Sequence, residues 1–377
     1  MIARPKIAIA ATFGIVMIVA GYNGAKSGAA AADLTASQQK CLSAIKADVE
    51  AAKADVKLIA PTKPLDLKAL KGKTIWYVPV YFNQFSSDWV AGLQEAADTA
   101  GVKLVTFDGQ GSANRFNEGI SAAVAQHAAG IIVAAIDPSV ISASLAEAKA
   151  AGIPVMNGVN SDPNTPLPSG MYGNFTSDFT AEGATAAKWA LLESGCTAHL
   201  VMLTSSSVAV WQNMAAGAKS AFDRYCPECS LKVLDIDIAN IVTSIGSQLQ
   251  TALQLDPGVD YILAAGDALV PFVSPVVATA NSSAKVLGHD GLAASIDMIA
   301  SRKGQDMTVA MPDFKWLGWL AFDDLGRAIL GQARPGYVIP TRIIDATNIG
   351  NGSVDKLFPN YVKFREAFTR AWARQTG

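Results

Sequence analysis

The stretch GIIVAAIDPSVISASLAEAKAAGIPV, residues 130–155, decides the fold. It opens with a short apolar, β-branched run, GIIVAAI, which Asp137 and Pro138 stop. A helical pattern from about 139 to 150 follows, then Gly152 and Pro154, then a second apolar run, IPVMN. Strand, helix and strand within one such length are a βαβ unit. Neither apolar run alternates with polar residues, as expected of a parallel sheet covered on both faces.

The same alternation extends in both directions. Upstream lie TIWYVPV from Thr74, a helix from about 87 to 100, KLVTF from Lys103 and a helix from about 114 to 128. Downstream a second series begins. It runs HLVMLT, a helix from about 211 to 224, LKVLDID, a helix from about 243 to 254, DYILAAG, a helix from about 268 to 281, KVLGHDG and MTVAMPD. The first turns of the two series match: a polar loop with Trp89 leads into V-A-G-L, and a serine-rich loop with Trp211 leads into a helix containing A-A-G-A. Two similar α/β lobes would set these loops face to face across a cleft. Open α/β sheets bind ligands at the carboxyl ends of their strands, so the cleft is the candidate site.

The chain of 377 residues exceeds the usual size of one core, and two domains are expected. Half of it is hydrophobic and 16% is charged, which suits a well-packed fold and not a disordered one. Its net charge of −2 becomes more negative without Arg4, Lys6 and Lys26 of the N-terminal segment. No clustered basic face is visible, so nucleic acid is set aside as a partner.

The N-terminus has a basic start, MIARPK, then 14 apolar residues, IAIAATFGIVMIVA, then small residues ending in an A-x-A pattern before Asp33. This order predicts a secretory signal over 1–32, because the apolar run is shorter than the ~20 residues of a spanning helix. An uncleaved anchor is the alternative. Tyr22 stands where a lipoprotein would carry cysteine, which excludes lipid at that place. The mature protein is expected in the periplasm or cell envelope, soluble and without lipid. Residues 33–71 read as an amphipathic helix from about 36 to 57, with Leu42, Ile45, Val49 and Ala52 at helical spacing, and a proline-containing linker.

Four cysteines, Cys41, Cys196, Cys226 and Cys229, suggest disulfides in an oxidising compartment. Cys196 with Cys226 or Cys229 is the favoured pairing. Cys226-Pro-Glu-Cys229 makes a weak redox or zinc motif, since the three histidines, His127, His199 and His289, are scattered.

At this point the chain resembles the periplasmic sugar-binding proteins of ABC importers, the type related to the ribose-binding protein, over residues 72–345. The residues that carry the resemblance are Asn83, Phe85 and Trp89, the run 130–155, Ser177-Asp178, Gly266-Asp267 and VLGHDG through Asp290 and Gly291. The resemblance implies a type I periplasmic-binding fold: α/β, two Rossmann-like lobes with parallel sheets, joined by a three-strand hinge. It implies lobe 1 from 72–175 plus 312–340 and lobe 2 from 176–311 plus 341–377. It also implies capture of a sugar or sugar alcohol by hinge closure and delivery to an ABC permease, by a monomer without cofactor or metal. A ligand-sensing partner of a membrane receptor is the alternative, and an exported carbohydrate-active enzyme a further one.

The candidate ligand-binding residues are Asn83, Trp89, Asn160, Trp211, Asn213, Asp267, Asp290 and Met311. Asp290 and Asp267 would accept from ligand hydroxyls, or else cap helices. Trp89 and Trp211 would cover an apolar ligand face, or else pack in a core. Asn83 and Asn160 would offer amides, or else form turns, and Met311 would line the cleft. Sugar-binding relatives usually offer an Asp-Arg pair where this chain has Val159 and Asn160, and an arginine near Trp211–Met214, where it has none. These departures point away from ordinary aldoses, toward a linear polyol or a less polar small molecule. Gly109-Gln110-Gly111 lacks the third glycine of a dinucleotide fingerprint, since Asn114 occupies that place. No G-x-S-x-G or His-nucleophile arrangement is recognisable, which argues against an enzyme.

Overall fold

A computed structural model of the chain describes residues 34–350 and 352–373. The expected signal segment and its cleavage point fall outside them. Helix α1 (Ala36–Ala52) and one turn, α2 (Leu67–Leu70), precede the first sheet. That sheet is laid down as β1 (Thr74–Pro79), α3 (Gln84–Ala100), β2 (Lys103–Thr106), α4 (Ala113–Ala125), β3 (Gly130–Ala134), α5 (Ser142–Ala150), β4 (Val155–Gly158) and β5 (Met171–Phe175). The second part runs α6 (Phe179–Glu193), β6 (His199–Thr204), α7 (Ala209–Tyr225), β7 (Ser230–Asp235), α8 (Ile241–Leu255), β8 (Tyr261–Ala264), α9 (Val270–Thr279), β9 (Lys285–Asp290), α10 (Ala293–Ser301) and β10 (Met307–Ala310). It is completed by α11 (Phe314–Ile329), β11 (Arg342–Asp345), α12 (Val354–Leu357) and α13 (Phe364–Trp372).

The strands form two sheets, ordered β2-β1-β3-β4-β5 and β11-β10-β9-β8-β6-β7. All pairs are parallel except β10 with β11. The interior strands are buried along their whole length, as β3 and β8 show, whereas the edge strand β7 is largely exposed. Helices cover both faces of each sheet: α4 and α5 pack on one side of the first, α8 and α9 on one side of the second. On their other sides lie the pairs α3 with α11 and α6 with α7.

These two pairs repeat one device. A Cβ at Gly92 of α3 would come within 2.0 Å of the Lys315 carbonyl oxygen, and one at Gly217 of α7 within 1.9 Å of that of Thr180. Backbone therefore meets backbone, and the glycines of V-A-G-L and A-A-G-A are there for closeness of approach.

The chain passes between the sheets three times, at 176–178, 311–313 and 330–341. Two of these segments pair, with Ile339 N–H donating to the Thr176 carbonyl at 2.8 Å. Asp178 and Asp313 then cap α6 and α11 with their side chains.

Both flanking segments depart from expectation. The linker after α1 is docked: Ile59 oxygen accepts from Trp316 Nε1 at 2.8 Å, and Arg327 donates to the carbonyls of Lys63 and Pro64. Its Leu65 is buried, because α11 needs cover on the face turned away from the sheet. The C-terminal tail is divided between the lobes. β11 joins the second sheet, but α13 packs on α11, where Trp372 stacks on Trp319 at 5.2 Å and its Nε1 donates to Asp323 at 2.7 Å. Placing 341–377 wholly with lobe 2 is corrected accordingly.

The cysteine pairing is corrected too. Cys41 of α1 is bonded to Cys196, and Cys226 to Cys229. α1 packs along α6 and brings Cys41 to a Cα separation of 6.4 Å from Cys196. Cys226 and Cys229 close the turn after α7 at 5.3 Å. The two disulfides are neighbours, with Cys226 Sγ 3.3 Å from the Cys196 carbonyl oxygen.

Candidate functional site

The carboxyl end of β9 builds the most distinctive corner of the cleft. Asp290 has φ +107° and Gly291 φ +84°, a backbone state that costs a non-glycine residue roughly 1–3 kcal/mol unless its surroundings impose it. Asp267 imposes it. Its Oδ2 accepts the N–H groups of Gly291 at 2.7 Å and Leu292 at 3.0 Å, while Oδ1 accepts from Gln305 Nε2 at 2.8 Å and Thr308 Oγ1 lies within 3.1 Å. Gly288 leaves room for this carboxyl, since a Cβ there would fall 2.0 Å from Asp267 Oδ1. Burial first, then the charge of Asp290, pushes the Asp267 pKa up to about 7. With its oxygens committed to the protein, Asp267 shapes the Asp290 turn and is not presented to a ligand.

The side chain of Asp290 is about one-fifth exposed and anchored at one oxygen, where His289 Nδ1 lies 2.9 Å from Oδ1. His289 Nε2 in turn lies 2.7 Å from Glu182 Oε2 on α6. Burial alone would lower the histidine's pKa, but Glu182 and Asp290 outweigh it and raise it to about 10. An imidazolium donating from both nitrogens is the species that satisfies two carboxylates at once. The other oxygen, Oδ2, and the Trp211 ring both border Gly266: a Cβ there would stand 3.4 Å from each. Across the lobes, burial raises the Tyr81 hydroxyl pKa, a bond with Asn83 lowers it, and the charge of Asp290 raises it further. Tyr81 follows β1 of the first sheet.

The expected residues divide accordingly. Trp211 and Asp290 come together. Trp211 sits in the first turn of α7, half-buried, and not on a loop. Trp89 is corrected: it is fully buried in lobe 1, with ring centroids 5.4 Å from Tyr77, 5.7 Å from Phe85 and 5.6 Å from Phe175. Helix α3 starts at Gln84, earlier than the pattern suggested, and Trp89 lies on its face toward the sheet. Asn83 caps that helix, accepting from Ser86 N–H at 2.9 Å within a capping box. Asn160 is buried after β4, and Asn213 is half-buried in α7. Met311 is buried, its N–H donating to the Asp290 carbonyl at 2.9 Å.

Tyr81, Glu182 and His289 were not foreseen. The His-Asp pair that breaks the apolar run VLG was a visible signal; Glu182, 107 residues away from His289, carried none.

Among the described residues, no helix is long and apolar enough to cross a membrane. A family profile described as periplasmic binding protein domain matches residues 75–333. Solved structures with the same fold include an ABC transporter solute-binding protein from Mycobacterium smegmatis with bound glycerol, 23% identical, with a TM-score of 0.65 over 74% of this chain and 96% of that one. A carbohydrate transporter protein from Acidothermus cellulolyticus in complex with myo-inositol is 20% identical, with a TM-score of 0.64 over 79% and 99%. An Agrobacterium vitis solute-binding protein with bound allitol is 21% identical, with a TM-score of 0.65 over 74% and 98%. No curated protein matches the chain.

Proposed function

Because this chain belongs to the periplasmic binding protein domain family, we propose that it is an extracytoplasmic solute-binding protein of an ABC importer. It captures a neutral sugar or sugar alcohol between its lobes and presents it to a permease. The observation that carries this reading is the corner at the carboxyl end of β9, where the partly exposed Asp290 and the Trp211 ring both border Gly266. A polyol has C–H faces that an indole can cover and hydroxyls that need polar partners, and this corner supplies both kinds of surface. The three crossings between the sheets, at 176–178, 311–313 and 330–341, are the segments about which a hinge closure would turn. The sugars and polyols held by the similar structures support the ligand class.

The test is a thermal-shift and calorimetric screen of the mature protein against pentoses, hexoses, alditols and inositols. A ligand at 100 times its Kd adds ~2.7 kcal/mol of stability, a shift easily measured. Saturable binding of one ligand per chain, without product, is the expected result. Turnover of a glycoside, or no shift with any sugar or polyol, would overturn the reading.

A further inference from the structure

We infer that Glu182 and His289 are positioning residues that hold Asp290 as a fixed carboxylate acceptor and thereby make this wall of the cleft select neutral polyhydroxy ligands over acidic ones. The inference rests on the solute-binding reading for the identity of the ligand, but the geometry behind it does not.

Glu182 and His289 are both buried, at 4% and 1% exposure. Glu182 Oε2 meets His289 Nε2, and Oε1 has no hydrogen-bond partner. A buried carboxylate so sparsely satisfied is tolerable only beside a positive charge. That charge is the imidazolium, whose second N–H fixes Asp290 Oδ1. The groups facing this imidazole from its neighbours are Glu182 of α6, Asp290 of β9 and the Phe179 ring at 5.5 Å; the charge of Asp290 is also felt by Asp267 and Tyr81.

Two consequences follow for a ligand. Asp290 can turn only one oxygen to the cleft, so a hydroxyl must donate at a defined place. The single positive charge of His289 is already shared by two carboxylates, leaving this wall net negative. A sugar acid that presented its carboxylate here would meet repulsion with no arginine or lysine in the cluster to relieve it.

The experiment has three arms on the mature protein. In the ligand-free state, ¹⁵N spectra of the imidazoles, assigned with His289→Gln, should show His289 doubly protonated from pH 6 to 8.5. Glu182→Gln and Asp290→Asn should each bring its midpoint down by more than one pH unit. A neutral His289 at pH 7 overturns the inference whether or not a ligand is known. In calorimetry, His289→Gln should weaken the best neutral polyol of an alditol and inositol panel at least tenfold. His289→Gln combined with Asp290→Asn should then bind no worse than Asp290→Asn alone. Losses that add overturn positioning, because a merely structural histidine would act independently of the aspartate. Finally, D-gluconate should bind at least 100-fold more weakly than D-glucitol, and equal binding overturns the selectivity. If no sugar or polyol binds while the first arm succeeds, the solute-binding reading falls and the positioning of Asp290 stands.

Discussion

Replacing Trp89 with alanine removes an indole that is fully buried between β1, β5 and the start of α3. Large-to-small changes of this kind cost about 3–5 kcal/mol, and edge contacts with three neighbouring aromatic rings place the site in the upper part of that range. One feature works the other way. Trp89 Nε1 is buried with no hydrogen-bond partner, a defect worth about 1–3 kcal/mol that leaves with the indole. Alanine should therefore lower unfolding free energy by about 3 kcal/mol. Phenylalanine keeps much of the ring and has no N–H to orphan, so Trp89→Phe should stay within about 1.5 kcal/mol of the parent. Urea unfolding followed by circular dichroism measures both, and calorimetry at low temperature measures ligand affinity of the molecules that remain folded. Affinity should change by no more than about threefold if Trp89 is core. An alanine variant as stable as the parent to within about 1 kcal/mol, yet binding more than tenfold weaker, would put the indole in the cleft and refute the assignment.

Trp211→Ala should do the opposite, costing about 2–4 kcal/mol in binding with little change in the urea midpoint; an unchanged Kd counts against the proposed corner. Asp324 is fully buried with neither oxygen hydrogen-bonded, and burial, partly offset by Arg334, raises its pKa to about 6. A carboxyl whose folded pKa lies above its unfolded value destabilises once ionised, so its cost is complete above pH 6 and disappears as pH falls toward 3.8. Asp324→Asn should raise stability at pH 8 by on the order of 2–3 kcal/mol and have little effect near pH 4, as thermal melts at the two pH values will show; equal gains at both would mean that ionisation is not the cause. Replacing Cys41 and Cys196 together with serine opens a loop with a sequence separation of 155, for which chain entropy gives about 5 kcal/mol. The melting temperature should fall strongly, and a double variant as stable as the parent would show that α1 is held by packing alone. Gly217→Ala forces a methyl against the Thr180 carbonyl and should cost at least about 2 kcal/mol, where Gly246, whose Cβ would meet nothing within 4 Å, tolerates alanine; chemical denaturation of the two variants side by side decides it.

Much of the architecture was legible because it repeats locally. Each βαβ unit announces itself within about thirty residues through an apolar run, a breaker and a 3.6-residue pattern, and residues 130–155 already imply a parallel sheet buried on both faces. The matching glycines of the two first helices were visible as well, although only the folded chain shows that Lys315 and Thr180 are what they make room for. Less was legible where the partner is distant. Trp89 lies within α3 whether the helix starts near 87 or at Gln84, and only its packing against Tyr77, Phe85 and Phe175 shows that it faces the sheet. The linker after α1 looks loose because prolines and lysines carry no packing signal, yet it lies on α11, a helix more than 240 residues later. The Cys41–Cys196 pairing depends on α1 lying along α6.

The site divides in the same way. Asp290 stands out in the sequence because a charged residue ends an apolar run, where strands of an open sheet present their ligands. Its neighbour Asp267 has the same local appearance, and nothing local tells the two apart. Burial and the backbone N–H groups of Gly291 and Leu292 make one the support of the turn, whereas the other keeps about one-fifth of its side chain exposed. Strands, helices and the carboxyl edges of the sheets are readable from the chain alone, because those follow from periodicity within a few turns. Which side chains reach those edges, and in what state of charge, follows from the folded chain, because burial, register and the partners of a carboxylate are set by residues as far apart as Glu182 and His289.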